Sequence, residues 1–279
     1  MGRLFSAPSI CRWFVFAVAV TISLFALAAD DYDQQVPSAV NNPQNAITPS
    51  PPLIPLVGSS APDLEHQGDL LRGQKRYFDA IDYYEAALKQ ETTPLRYNKL
   101  GMAYLFLQQY KDAQKAFDHA LREDKDCAEA WNNRGFVEQM RKNYGKADKY
   151  YEHALALRPD APTFHYNLAS VNFARHKYPQ AAQEYRAAYM LDPDIFNRVS
   201  RMGILAQTSS PEDRAAFSFM VARMYAEAGD VDHSIEYLRK AMEEGYRDIK
   251  KVYTESDFAT LRTDKRFTEL MEQRPQPLP

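Results

Sequence analysis

The chain has 279 residues, with 34 Lys and Arg against 37 Asp and Glu, for a net charge of −3. That slightly acidic balance excludes a general affinity for nucleic acid. The two cysteines, Cys11 and Cys127, exclude a disulfide-stapled scaffold, and a chain of this length can bury a core without one.

The first predicted element is a leader. Residues 1–29 hold Arg3 and Arg12 and no acid, and Trp13 to Ala28 carries no charge at all. Ala26-Leu27-Ala28 is a small-x-small site, followed at once by Asp30 and Asp31. That is the form of a secretory signal peptide, with cleavage after Ala28 or Ala29. The alternative is a retained N-terminal anchor, although the run is short for a spanning helix of about 20 residues. Cys11 lies before the apolar run, whereas a lipoprotein cysteine would follow it. Residues 30–60 read as a disordered, Pro-rich linker: Pro37, Pro43, Pro49, Pro51, Pro52 and Pro55 stand among Asn, Gln, Ser and Thr.

From residue 61 the chain repeats. Tyr77, Tyr110, Tyr144 and Tyr178 are spaced by 33, 34 and 34 residues. Ala80, Ala113, Ala147 and Ala181 follow in phase, then Tyr84, Phe117, Tyr151 and Tyr185, then Ala87, Ala120, Ala154 and Ala188. A fixed period in this range signals a stacked array of helix pairs. Ala80–Tyr84–Ala87–Leu88 has the i, i+4, i+7, i+8 spacing of an apolar helical stripe. Gly68, Gly101, Gly135 and Ala169 recur on the partner helix, where small residues admit a close neighbour. A lone helix pair cannot bury such a stripe, so stacking supplies the core.

The units run 61–93, 94–127, 128–161 and 162–195. A degenerate fifth covers 215–248, with Ala222, Tyr225, Ser234, Leu238 and Ala241 in phase. An insertion at 196–214 separates it from the fourth, with a short helix around Phe196–Met202 or an ordered loop as alternatives. Ser210-Pro211-Glu212-Asp213 is a helix start with acid in the first turn. Residues 249–279 read as a helical cap and tail, in which Phe258, Leu261, Phe267 and Leu270 cover the last repeat helix.

In the third unit, Trp131, Gly135, Tyr144, Ala147, Tyr151, Ala154 and Pro159 match the tetratricopeptide pattern position by position. The second and fourth units repeat it. The chain, over roughly 61 to 245, resembles tetratricopeptide repeat proteins, and its last segment resembles the closing segment of many bacterial ones. The resemblance implies an all-α fold, a right-handed α-solenoid of antiparallel helix pairs with about five repeats. It also implies a concave groove lined by the first helices, at Asn98, Lys99, Met102, Asn132, Asn133, Phe136, Tyr166, Asn167, Ser170 and Phe173. Asn carries both donor and acceptor and would pair with an extended peptide backbone; its other reading is a bridge between helices. Some chaperone-binding relatives grip a C-terminal carboxylate with Lys, Asn and Arg. Carried over by phase, that clamp falls on Asn98, Met102, Asn133, Thr163 and Asn167, or on Glu65, Asp69, Lys99, Glu129 and Asn133. Neither set is cationic, which argues against a carboxylate clamp.

No H-E-x-x-H, paired C-x-x-C or phosphate-loop glycine motif is present. His119 and His153 pair only by repeat phase, on an outer face. The expectation is therefore a non-enzymatic scaffold with no cofactor, no metal and no small-molecule substrate. Its partner would be a protein or peptide, in the bacterial periplasm or outside the cell, with membrane contact only if the leader is retained. The alternative is a structural subunit packed permanently in an envelope assembly.

Overall fold

The computed structural model describes residues 58–196, 210–273 and 275. The leader, almost all of the linker and most of the 196–214 insertion lie outside them. The chain divides into two compact units, 1–141 and 142–279. The described residues are helical, as consecutive antiparallel pairs.

Unit 1 holds α1 (Ala61–Gly73), α2 (Tyr77–Gln90), α3 (Pro94–Phe106), α4 (Tyr110–Glu123) and α5 (Ala128–Met140). The first helices α1 and α3 start where the sequence supplies caps, whereas α5 starts behind Cys127 without a side-chain cap. Ser60 forms a capping box with Asp63, and Thr93 Oγ1 accepts from the Arg96 amide before Pro94 at the first turn. The α2 and α4 starts have no side-chain cap. They are reached through a tight turn instead. Lys75 and Gln108 stand at φ 61° and 58°, and the Arg76 and Gln109 amides donate back to Leu71 O and Tyr104 O, each at 2.9 Å. That is the Schellman closure of α1 and α3, made here with a lysine and a glutamine where glycine is usual.

The small residues and the aromatics of the repeat are one device. A Cβ on Gly68 would lie 2.7 Å from the Tyr84 ring, and one on Gly101 would lie 2.4 Å from the Phe117 ring. Each ring packs directly against bare backbone, and Tyr84, Phe117, Ala80, Ala87, Ala113 and Ala120 are fully buried. Removal of that apolar area from water, at about 25 cal/mol per Å², is what holds the pairs together.

Unit 2 holds α6 (Tyr144–Leu157), α7 (Pro162–Ala174), α8 (Tyr178–Leu191), α9 (Pro211–Glu227), α10 (Val231–Glu243), 3-10 turns at Ile249–Tyr253, Ser256–Phe258 and Leu261–Thr263, and α11 (Lys265–Gln273). The fifth pair begins at Pro211, four residues inside the expected insertion, because Ser210 caps it and accepts from the Asp213 amide. Its turn uses Gly229, at φ 78°, where the α7–α8 turn uses His176 at 58°. One large aromatic cluster fills the unit. Tyr166, Tyr185, Phe196, Phe219, Tyr225 and Tyr237 are buried in it, together with Phe258, Leu261, Phe267 and Leu270 from the last segment.

Candidate functional site

The first helices of unit 1 meet along a polar seam. Arg96, on α3, is 4% exposed; its Nε donates to Glu65 Oε2 on α1 at 2.8 Å, and its Nη1 donates to Glu91 Oε2 at 2.8 Å. Burial of the guanidinium opposes its charge, but the bonds from Glu91 and Glu65 outweigh that and raise its pKa. Lys99 Nζ lies 2.6 Å from both Glu65 Oε1 and Asp69 Oδ2. Asp69 Oδ1 in turn accepts from the Tyr84 hydroxyl at 2.8 Å, and burial followed by the Asp69 charge pushes that phenol up. Lys99, an expected peptide contact, is thus already held between two carboxylates from the neighbouring first helix. The acids that argued against a carboxylate clamp occupy the lysine that such a clamp would need.

Toward α5 the seam turns neutral. Asn133 Nδ2 donates to Asn98 Oδ1 at 2.9 Å, and Asn132 Nδ2 donates to Asn133 Oδ1 at 3.2 Å. Asn98 and Asn132 are buried, at 5% and 7% exposure, so these two are bridges between and along helices and not open groove contacts. Asn133 is half-exposed, and each of its polar atoms keeps a second hydrogen or lone pair beyond the bond shown. Met102 and Phe136 are half-exposed beside it. Behind α5, Arg134 joins Asp118 on α4 at 2.6 Å and Glu138 at 3.1 Å, which fixes the helix that carries Asn133 and Phe136.

In unit 2 the expected residues divide differently. Tyr166 and Phe173 are corrections: they are 4% and 7% exposed, and belong to the core. Tyr166 meets Tyr185 and Phe196 edge-on at 5.1 and 5.8 Å, while Phe173 meets Tyr178 and Phe217 at 5.2 and 5.9 Å. The aromatic density of α8 and α9 draws them inward. Asn167 and Ser170 are half-exposed, and the Ser170 hydroxyl donates to Asn167 O at 2.8 Å. Sequence reasoning missed Arg96, and met Glu65 and Asp69 only as acids against a carboxylate clamp and not as the partners of Arg96 and Lys99. Their signal was an arginine and two acids on apolar-patterned helices, each about one period from its partner.

The described residues include no group of three or more His, Cys, Asp or Glu placed to hold a metal ion, and no helix long and apolar enough to cross a membrane.

Models of the tetratricopeptide repeat match residues 128–161, 96–127 and 215–244. The chain is 31% identical over 70 residues to a chloroplastic protein of Arabidopsis thaliana; the match covers 25% of this chain and 21% of that protein. Among solved structures it is similar to MamA, at 21% identity, with 67% of this chain and 96% of that chain covered and a TM-score of 0.44. It is also similar to pilF of Pseudomonas aeruginosa, at 16% identity, 77% and 82% coverage and a TM-score of 0.48. The chain carries tetratricopeptide repeats, about five of them, in an all-α solenoid of helix pairs.

Proposed function

We propose that this chain is a non-enzymatic protein-interaction scaffold whose first-helix face in unit 1 takes an extended peptide. The observation that carries this reading is the half-exposed row of Lys99, Met102, Asn133 and Phe136 on the α3–α5 seam. Its polar atoms are held in place by bonds that leave further donor and acceptor capacity at Asn133. Such a row pairs with a peptide backbone through Asn133 and with side chains through Phe136 and Met102. Because Lys99 is neutralised by Glu65 and Asp69, the row selects neutral or apolar segments and not a free carboxylate. Asn167 and Ser170 offer a second, shorter polar stretch on α7.

We place the protein in or beyond a bacterial envelope. The support is the leader-like composition of residues 1–29 followed by the Pro-rich spacer. We read residues 249–273 as a cap on the last pair, supported by the burial of Phe258, Leu261, Phe267 and Leu270 against α9 and α10. N-terminal sequencing of the exported protein should find Ala29 or Asp30 first; an intact Met1 would make the segment an anchor.

The binding reading is tested by panning a displayed peptide library on the purified protein. The affinity of the selected peptides is then measured for Asn133→Ala with Phe136→Ala. Loss of a neutral hydrogen bond and an aromatic contact, about 2–4 kcal/mol together, should weaken them by about 30- to 1000-fold. Unchanged affinity in folded variants would move the site elsewhere.

A further inference from the structure

The second helices of successive repeats carry an unequal distribution of charge. Two outer positions in phase read Asp79 and Asp82 on α2, Asp112 and Lys115 on α4, Lys146 and Lys149 on α6, and Gln180 and Gln183 on α8. On α4 the pair satisfies itself, with Lys115 Nζ at 2.9 Å from Asp112 Oδ1. On α2, Asp79 is taken by Arg76 at 2.8 Å, while Asp82 and Glu85 stand exposed without an ion pair on one side of the helix, Glu85 Oε1 accepting only from the Tyr104 hydroxyl at 2.9 Å. Burial, then the charges of Glu85 and Asp79, push the Asp82 carboxyl up, and Lys89 partly offsets them. In the turn before α6 and along it, Lys142, Lys146 and Lys149 stand exposed and make no ion pair among the described residues.

Shape follows the same division. Phe78, one turn before Asp82, is 67% exposed and projects from the acidic face. At the equivalent position α6 has Gly145, and a Cβ built there meets nothing within 4 Å. Gly145 lies in an open groove walled by Lys142, Tyr144, Lys146 and Lys149. Two acids reach the same groove. Asp148 is bound by Arg175 and lies 3.7 Å from Lys177, and Glu152 stands at the edge, so the groove remains cationic.

We propose that the outer face of α2 docks into this groove on a second copy of the chain. Phe78 seats over Gly145, and Asp82 and Glu85 face Lys146 and Lys149. The contact joins two different surfaces and is therefore heterologous, so it propagates until it closes into a ring or ends as a filament. It involves second helices and leaves the α3–α5 row of the proposed peptide site uncovered. Exposed ion pairs are individually weak and screened by salt, so association depends on the aromatic anchor and falls as ionic strength rises.

Sedimentation velocity on the full chain tests this directly. The wild type should show concentration-dependent association at low salt and revert to monomer near 0.5 M NaCl, where the screening length is only a few ångströms. Phe78→Ala and Gly145→Leu should each weaken association at least tenfold. Asp82→Lys with Glu85→Lys, and Lys146→Glu with Lys149→Glu, should each be monomeric alone and associate when mixed. All six positions are solvent-facing, and circular dichroism verifies that the variants fold. A wild type that stays monomeric at low salt would overturn the proposal, as would association that survives the charge reversals or fails to return on mixing. Binding of polyglutamate to the α6 groove by a strictly monomeric protein would assign the groove to another acidic partner and equally refute self-docking.

Discussion

Glu65, Asn98, Asn132 and Tyr166 occupy one position of the repeat in four successive units. In unit 1 that position is polar, and its side chains bind those of neighbouring first helices: Glu65 to Arg96 and Lys99, Asn98 to Asn133. In unit 2 the same position is an aromatic core residue against Tyr185 and Phe196. Two regions with one signature are thus closed by different physics. A hydrogen-bonded seam fixes its side chains and still offers polar atoms at its surface, whereas an aromatic cluster seals the face. This difference is why the peptide site is placed on unit 1.

Emptying the sealed region should have the largest effect. Phe258→Ala removes a fully buried ring from the unit 2 cluster and should cost about 3–5 kcal/mol in urea unfolding. Its effect should stay within unit 2, because stability in a repeat array spreads mainly between neighbours. Peptide affinity at the α3–α5 row should hardly change.

The polar seam should respond next. Arg96→Ala strips a buried cation from Glu65 and Glu91 and should cost about 3 kcal/mol. Lys99 still faces Glu65, which keeps the loss at the low end of the range for broken buried pairs. Arg96→Met, which refills the volume but not the charge, should recover only a small part of it. If Met restores most of the loss, then the buried volume and not the ion pairs holds α1 to α3.

The smallest expected effect is a gain. The Tyr166 hydroxyl is buried and has no hydrogen-bond partner among the described residues. Tyr166→Phe should therefore stabilise unit 2 by about 1 kcal/mol. Burial, and then the neighbouring Tyr185 and Tyr237, push this phenol well up. The unfolded chain loses the proton first, near the ordinary phenol value of about 10, so stability is intact below that pH and falls above it. Unfolding followed from about pH 9 to about pH 11.5 should show a shallower alkaline decline in Tyr166→Phe than in the wild type. An unchanged slope would mean that Tyr166 is solvated in solution and open to a ligand.

Much of the fold was legible because it is written in covalently periodic terms. Helices start at Tyr77, Tyr110, Tyr144 and Tyr178, the very residues that set the period. Gly101 opposite Phe117 shows why small and aromatic residues recur 16 apart. The turns were less legible. Lys75, Gln108, Lys142 and His176 all take positive φ, a conformation their side chains do not advertise, whereas Gly229 and Gly245 do signal it. Met102, Asn133 and Phe136 do stand half-exposed on first helices. Asn98 is turned inward by Asn133, and Lys99 is claimed by acids 30 and 34 residues earlier. Such pairings depend on which neighbouring helix is near, and phase alone does not reveal that. Tyr166 and Phe173 were misplaced for the same reason, since Phe196 and Phe217, which bury them, come from outside their own helix pair.

On the proposed reading, unit 1 presents its first-helix seam to a peptide while the equivalent position in unit 2 is sealed. Hydrogen exchange on the full chain, with and without a selected peptide, measures this most directly. Added protection concentrated in α3 and α5, around Lys99, Asn133 and Phe136, is the predicted result. Protection confined to α7 and α9, with the α3–α5 seam unchanged, would contradict the account.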